Sequence, residues 1–344
     1  MATIEDLVQR HIARGTFPCA EILVATGDKV RFHQAFGFME GSDIAPLKKG
    51  AMFDLASLTK PLATANLLVQ LVREDRIGLD DAVSDYLPEF IAGRHTSISV
   101  RQLALHQAGL PAEAPLAKQA DSADAAWQLI YQMPLAYAPG KKVIYSCLGY
   151  LLLGRIIEQV LDMSLDEAFA AHIAGPQKLQ HTFFSPLEAA PHLPEIVPSV
   201  PAIRSSGFIR GVVNDSTARR LGGKVGNAGL FSTAADVHNI SCALLDAADP
   251  LIFENGNGPG LTPRTIGFEF NDPDILGCSC GDQFFPGAVG HTGFTGTSLW
   301  MEPHSKLIVI ALTNRVYLSY RDTIEAMRTF RAELHATAKK VYGV

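Results

Sequence analysis

Phe53-Asp54-Leu55-Ala56-Ser57-Leu58-Thr59-Lys60-Pro61 heads a long apolar segment and holds the single Ser-x-x-Lys of the chain. If Ser57 begins a helix, Lys60 follows one turn later on the same face, with Cβ atoms roughly 5–6 Å apart. That spacing puts a hydroxyl beside an amine. Near a helix N-terminus, backbone N–H groups and the helix dipole also favour negative charge. A serine hydroxyl needs a neighbour that takes its proton. A lysine of ordinary pKa, about 10.4, is charged at pH 7, and neutralising it there costs roughly 4.6 kcal/mol. Burial and nearby cations lower that cost. The pattern is therefore chemistry only inside a built site; alone, it better describes a capping serine followed by a surface lysine.

Working outward, the 344 residues can bury a large core, as one big domain or two smaller ones. Hydrophobic residues at 47% against 19% charged place the chain among globular proteins. A net charge of −6 without a basic or acidic block argues against nucleic acid as a partner. No apolar run reaches membrane-spanning length, so no membrane partner is expected. The start, Met1-Ala2-Thr3-Ile4-Glu5-Asp6, lacks the basic and apolar regions of a secretory signal, which predicts a cytoplasmic protein. Cys19, Cys147, Cys242, Cys278 and Cys280 are scattered and odd in number, as reduced thiols are. Cys278-Ser279-Cys280 has no second cysteine pair, and the histidines His95, His106, His172, His181, His192 and His238 lack ligand spacing. No metal and no cofactor is expected.

Hydrophobic spacing predicts a helix over 4–14, strands over 20–26 and 30–37 around Gly27-Asp28-Lys29, and a central helix from Ser57 to about Arg73. Further helices are expected from Ile98 to a stop at Gly109-Leu110-Pro111, over 122–133, and from about Cys147 to Val160 after the turn Ala138-Pro139-Gly140. Residues 183–219 and 254–287 read as long irregular loops. A helix capped near Ser232 or Thr233, strands over 297–302 and 307–313 and a final helix over about 321–341 complete the chain. The fold class is α/β: an antiparallel sheet built from both chain ends and flanked by helices, with a mostly helical insertion. The corresponding division is one catalytic domain with an α/β part of about 1–61 and 220–344 and a helical part of about 62–219.

Three remote pieces, Ser57-Leu58-Thr59-Lys60, Tyr145-Ser146-Cys147 and His291-Thr292-Gly293, occur in an order that resembles the serine β-lactamase and penicillin-binding-protein superfamily. Within it the chain looks most like the class C β-lactamase-like branch, which includes family VIII carboxylesterases. The resemblance runs over nearly the whole chain, through Leu79-Asp80-Asp81 to Pro88, Leu103 to Pro111, Gly149-Tyr150 to Gly154 and Asn227-Ala228-Gly229-Leu230-Phe231-Ser232-Thr233.

The resemblance implies Ser57 as the acylated nucleophile, Lys60 as its proton partner and Tyr145 as the proton relay. It places His291 where many members have lysine, and Thr292, Gly293 and Phe294 beside the substrate. The backbone N–H groups of Ser57 and Phe294 are the implied oxyanion hole. His291 can donate a hydrogen bond but carries charge only when protonated, which weakens a fixed site for a substrate carboxylate. Cys147 stands where the family has asparagine, and a thiol is a weak donor and acceptor. Asparagines at Asn214 and Asn227 stand where relatives often have histidine. The implied activity is acyl transfer to water from a small ester or amide. A β-lactamase or D-alanyl peptidase is the alternative within enzymes, and a catalytically impaired binding homologue is the alternative of another class. Substrate selection is expected in the loops 183–219 and 254–287, and the oligomeric state is left open.

Overall fold

A computed structural model of the chain describes residues 3–39, 46–93, 98–185, 195–201, 208–317 and 323–343. Its centre is a six-stranded antiparallel sheet in the order Lys29–Gly37, Cys19–Thr26, Leu307–Thr313, Ser298–Glu302, Val289–Thr292, Glu269–Phe270. Two strands come from the start of the chain and four from its end, so the expected sheet built from both ends is present. The hairpin between the first two strands turns at Gly27, whose φ of +58° suits glycine best.

Leu307–Thr313 is buried along its whole length, because both faces of the sheet are covered. Its side chains alternate between faces. Val309 and Ala311 join Ile22, Val24 and Trp300 beneath the helices Ile4–Ala13 and Ile324–Tyr342, which contribute Leu7, Val8, Phe330 and Leu334. Ile308, Ile310 and Leu312 face the other way, into the larger core with Leu58, Leu62, Leu68 and Leu152. The leucines of the serine-bearing segment thus share one core with this face of the sheet.

The expected single helix from Ser57 to Arg73 is instead three pieces: a 3-10 turn Ala56–Leu58, a π-helical stretch Lys60–Ala65 and an α-helix Asn66–Arg73. Pro61 lies in the wide π-helical stretch, where it has no N–H to donate. The helix after Tyr145 spans Cys147–Leu161, and the one capped by Thr233 spans Ala234–Ala247. The helix expected from Ile98 is only Val100–Ala104, started by a Ser99–Gln102 capping box. Of the expected loop 183–219, residues 186–194 and 202–207 lie outside the described residues, as do His95, His192 and the first two residues of the expected final helix. Among the described residues no helix is long and apolar enough to cross a membrane.

Candidate active site

The turn before Ser57 is strained and heavily braced. Ala56 has φ +48°, a left-handed conformation that costs an alanine about 1–2 kcal/mol. The Asp54 carboxylate accepts the Ala56 N–H at 2.8 Å and the Asn214 N–H at 2.6 Å. Thr59 Oγ1 donates to the Ala56 carbonyl at 2.7 Å and accepts the Leu230 N–H at 3.1 Å. From the sheet side, Thr295 Oγ1 donates to the Asp54 carbonyl at 2.8 Å and Thr297 Oγ1 to the Leu55 carbonyl at 3.0 Å. Strain held in place this way accompanies functional sites.

Lys60 is fully buried. Its ammonium nitrogen lies 3.0 Å from Ser57 Oγ, 2.9 Å from the Asn227 carbonyl and 3.5 Å from Cys147 Sγ. Tyr145 lines the same cleft as Ser57, and Lys60 Nζ stands 5.0 Å from the centre of its ring. Burial is the largest influence on Lys60 and pulls its pKa down; Cys147 and Tyr145 push it up, and the net direction is upward. Burial likewise raises Tyr145, against the pull of Lys60. The upward push on Lys60 needs an ionised thiol or phenol. When both hold their protons, burial pulls toward the uncharged amine, opposed by the smaller pushes of the Tyr145 hydroxyl and Asp215.

Tyr145 is positioned by the segment that follows the helix Val100–Ala104. The Ser146 N–H donates to His106 Nδ1 at 3.1 Å, and Ser146 Oγ donates to the Pro111 carbonyl at 2.7 Å. The His106 ring lies 4.7 Å from that of Tyr145. Burial, then the charges of Arg264 and Lys60, hold His106 well below the usual histidine pKa, so its ring is a neutral acceptor.

His291 is carried on the strand Val289–Thr292, with its ring 5.7 Å from that of Tyr145. Burial, then Lys60 and Arg264, push it well below the usual histidine pKa. Its Nδ1 lies 2.8 Å from the Thr292 carbonyl. A carbonyl only accepts, so the ring proton is on Nδ1 and Nε2 is left as an acceptor. The expected hydrogen-bond donation is thus spent on the backbone, and the ring offers neither a cation nor a donor to the cleft.

Gly293 follows for a steric reason. A Cβ there would collide with Thr297 Oγ1 and stand 2.6 Å from the Leu55 carbonyl. Its absence lets the third motif lie against the serine turn.

Ser57, Tyr145, Cys147, His291, Thr292, Gly293 and Phe294 all line one cleft of about 1290 Å³, with Lys60 behind Ser57. The three motifs thus converge. Asn227 also lines it, but what reaches Lys60 is its backbone carbonyl; its buried amide has no hydrogen-bond partner among the described residues. Asn214 donates its amide to the Ser199 carbonyl at 2.9 Å and serves the site through the N–H given to Asp54. Cys278 and Cys280 are free thiols, with Cys278 lining the cleft and its Sγ 3.9 Å from Glu269 Oε2.

Three contributors escaped the sequence reading: Asp54, His106 and Arg264. Arg264 lines the cleft with its guanidinium 5.5 Å from the centre of the Tyr145 ring. Asp54 is next to the quoted serine and its role was open to a turn argument, since a side-chain carboxylate that accepts an N–H two residues on is an Asx turn. Nothing near Arg264 in sequence marks it.

Comparison with known proteins agrees with this geometry. The profile of the family described as Beta-lactamase matches residues 4–332. An N-acetylmuramyl-L-alanine amidase of Bacillus subtilis (strain 168) is 29% identical, covering 99% of this chain and 86% of that protein. The fold is shared with EstCE1, described as a hydrolase with promiscuous acyltransferase activity: TM-score 0.72, 22% identity, 96% of this chain and 97% of that one. It is shared too with an octameric penicillin-binding protein homologue from Pyrococcus abyssi: TM-score 0.74, 18% identity, 98% of this chain and 78% of that one.

Proposed function

The chain belongs to the Beta-lactamase family, and we propose that it is a serine hydrolase that forms an acyl-enzyme on Ser57 from carboxylic esters or small amides. The observation that carries this reading is the 3.0 Å approach of Lys60 Nζ to Ser57 Oγ, with the Tyr145 ring centre 5.0 Å from the same nitrogen and in the same cleft. In the proposed sequence, Lys60 in its uncharged form takes the Ser57 proton as Oγ attacks the carbonyl carbon. The backbone N–H groups of Ser57 and Phe294 receive the oxyanion, a contribution of a few kcal/mol in such enzymes. Tyr145 passes the proton on to the departing alkoxide or amine. A water then attacks the acyl-serine, gives one proton back through Tyr145 and Lys60, and restores Ser57. His291, neutral and accepting at Nε2, positions a donor group of substrate or phenol and leaves the proton inventory unchanged.

One observation favours a second reading, a β-lactam or D-alanyl peptide bearing a free carboxylate. Such a substrate needs a cation, His291 does not supply one, and Arg264 stands beside the Tyr145 ring with its charge felt at His291.

Labelling with a fluorophosphonate probe, beside turnover of p-nitrophenyl acetate and nitrocefin by wild type, Ser57→Ala and Arg264→Ala, separates the readings. The proposal expects labelling and ester turnover that vanish in Ser57→Ala and survive in Arg264→Ala. Nitrocefin turnover faster than ester turnover, and lost in Arg264→Ala, would favour the second. No labelling and no turnover would leave a binding homologue.

A further inference from the structure

Seven large apolar side chains are strongly exposed among the described residues, and four of them frame the mouth of this one cleft. They are Ile275 at 44%, Leu276 at 80%, Phe294 at 47% and Ile324 at 42% of full exposure. Scattered singly such residues need no explanation, but a cluster at a binding cleft marks an interaction site.

The cluster is built from three parts of the chain and part of it is held rigidly. Phe294 directly follows Gly293 of the third motif. The guanidinium of Arg315 lies 4.7 Å from the centre of its ring, and Arg315 is itself buried. The Arg315 N–H donates to the Thr295 carbonyl at 2.9 Å, and its side chain donates to Thr323 Oγ1 at 3.3 Å. Thr323 immediately precedes Ile324 at the head of the final helix. The Phe294 ring and Ile324 are thus joined through one buried cation, and a ligand lying across them meets a surface already in place. Ile275 and Leu276 complete the frame from the loop 254–287.

We propose that this apolar frame is a specificity subsite of the same reaction, receiving an alkyl or aryl chain attached to the scissile ester or amide; this rests on the reading of Ser57 given above. Phe294 links the two, since its side chain is in the frame and its backbone N–H is assigned to the oxyanion. A chain on either the acyl or the alcohol side has the required chemistry. The enzyme so assigned prefers lipophilic esters to acetates.

The test has two arms. In the first, kcat/KM is measured for p-nitrophenyl esters from acetate to octanoate, and for acetates of ethanol to hexanol, with wild type, Leu276→Asp and Ile324→Ser. The expected result is a rise with chain length in one series, at most roughly four-fold per buried methylene, that flattens in both variants while acetate turnover is unchanged. Which series rises tells the acyl from the alcohol side. In the second arm, Ser57→Ala protein is titrated calorimetrically with N-ethylacetamide, N-hexylacetamide and N-ethyloctanamide. Tighter binding of one of the two long-chain amides than of N-ethylacetamide, lost in Leu276→Asp, is expected. Flat chain-length profiles with equal amide binding, or a rise that persists in both variants, would overturn the proposal. Loss of all ester turnover would count against the acyl-enzyme reading, and the calorimetric arm would still decide this one.

Discussion

Asp54 offers a test in which two physical effects oppose each other. Burial drives its carboxyl up, while the N–H groups of Asn214 and Ala56 pull it down; burial wins, and the pKa rises from 3.8 to about 6. A carboxyl whose folded pKa is raised favours the folded state in its protonated form. That contribution is full below the ordinary value and is lost as pH rises through about 6. Going from pH 8 to pH 5, wild type should therefore gain about 1.4 kcal/mol of stability relative to Asp54→Asn, whose amide does not titrate. The assay is urea unfolding of both proteins at the two pH values, read as the change in their stability difference. Asp54→Asn should also lower ester turnover at every pH, because one of the two N–H donors at 2.6 and 2.8 Å would then face an NH2 group. A stability difference that is constant with pH, or that moves the other way, would refute the reasoning. It would mean that the two donors outweigh burial and that the carboxylate is held ionised.

Lys60→Met keeps much of the side-chain volume and removes the donor to Ser57, Cys147 and Asn227; acylation should fall by about 10²–10⁴ in stopped-flow ester turnover, and wild-type rates would exclude Lys60 as the base. Cys147→Asn replaces a sulfur 3.5 Å from Lys60 with an amide and should raise amide turnover relative to ester turnover by about ten-fold, the worth of one added hydrogen bond; an unchanged ratio in paired p-nitrophenyl ester and anilide assays would remove that idea. Gly293→Ala drives a methyl group toward the Leu55 carbonyl, 2.6 Å away before relaxation. It should cost about 1–3 kcal/mol in urea unfolding, together with a loss of kcat, and a variant of unchanged stability would show that the third motif does not need that close approach.

The sheet was legible because its strands carry their own signatures: the Leu307–Thr313 run is apolar at every position but the last, as a strand covered on both faces must be. Ser57, Tyr145 and His291 were legible as motifs, and the cleft unites them. What could not be read is what depends on apposition. The left-handed Ala56 is braced by partners far along the chain, among them Asn214, Leu230, Thr295 and Thr297, and the wide turn at Lys60–Ala65 by the carbonyls of Gly226 and Asn227. The charge state of His291 is set by burial together with Lys60 and Arg264, neither of which adjoins it in sequence. His106 looked like any structural histidine until its ring was seen against Tyr145.

All of this turns on Ser57 being the atom that is acylated. Rapid quenching of the protein during turnover of p-nitrophenyl acetate, followed by intact-mass and peptide mass spectrometry, reads that directly. The account predicts one acetyl group per chain, mapped to the peptide containing Ser57 and absent in Ser57→Ala. An acetyl group on Cys147 instead, or steady turnover by Ser57→Ala at the wild-type rate, would contradict it.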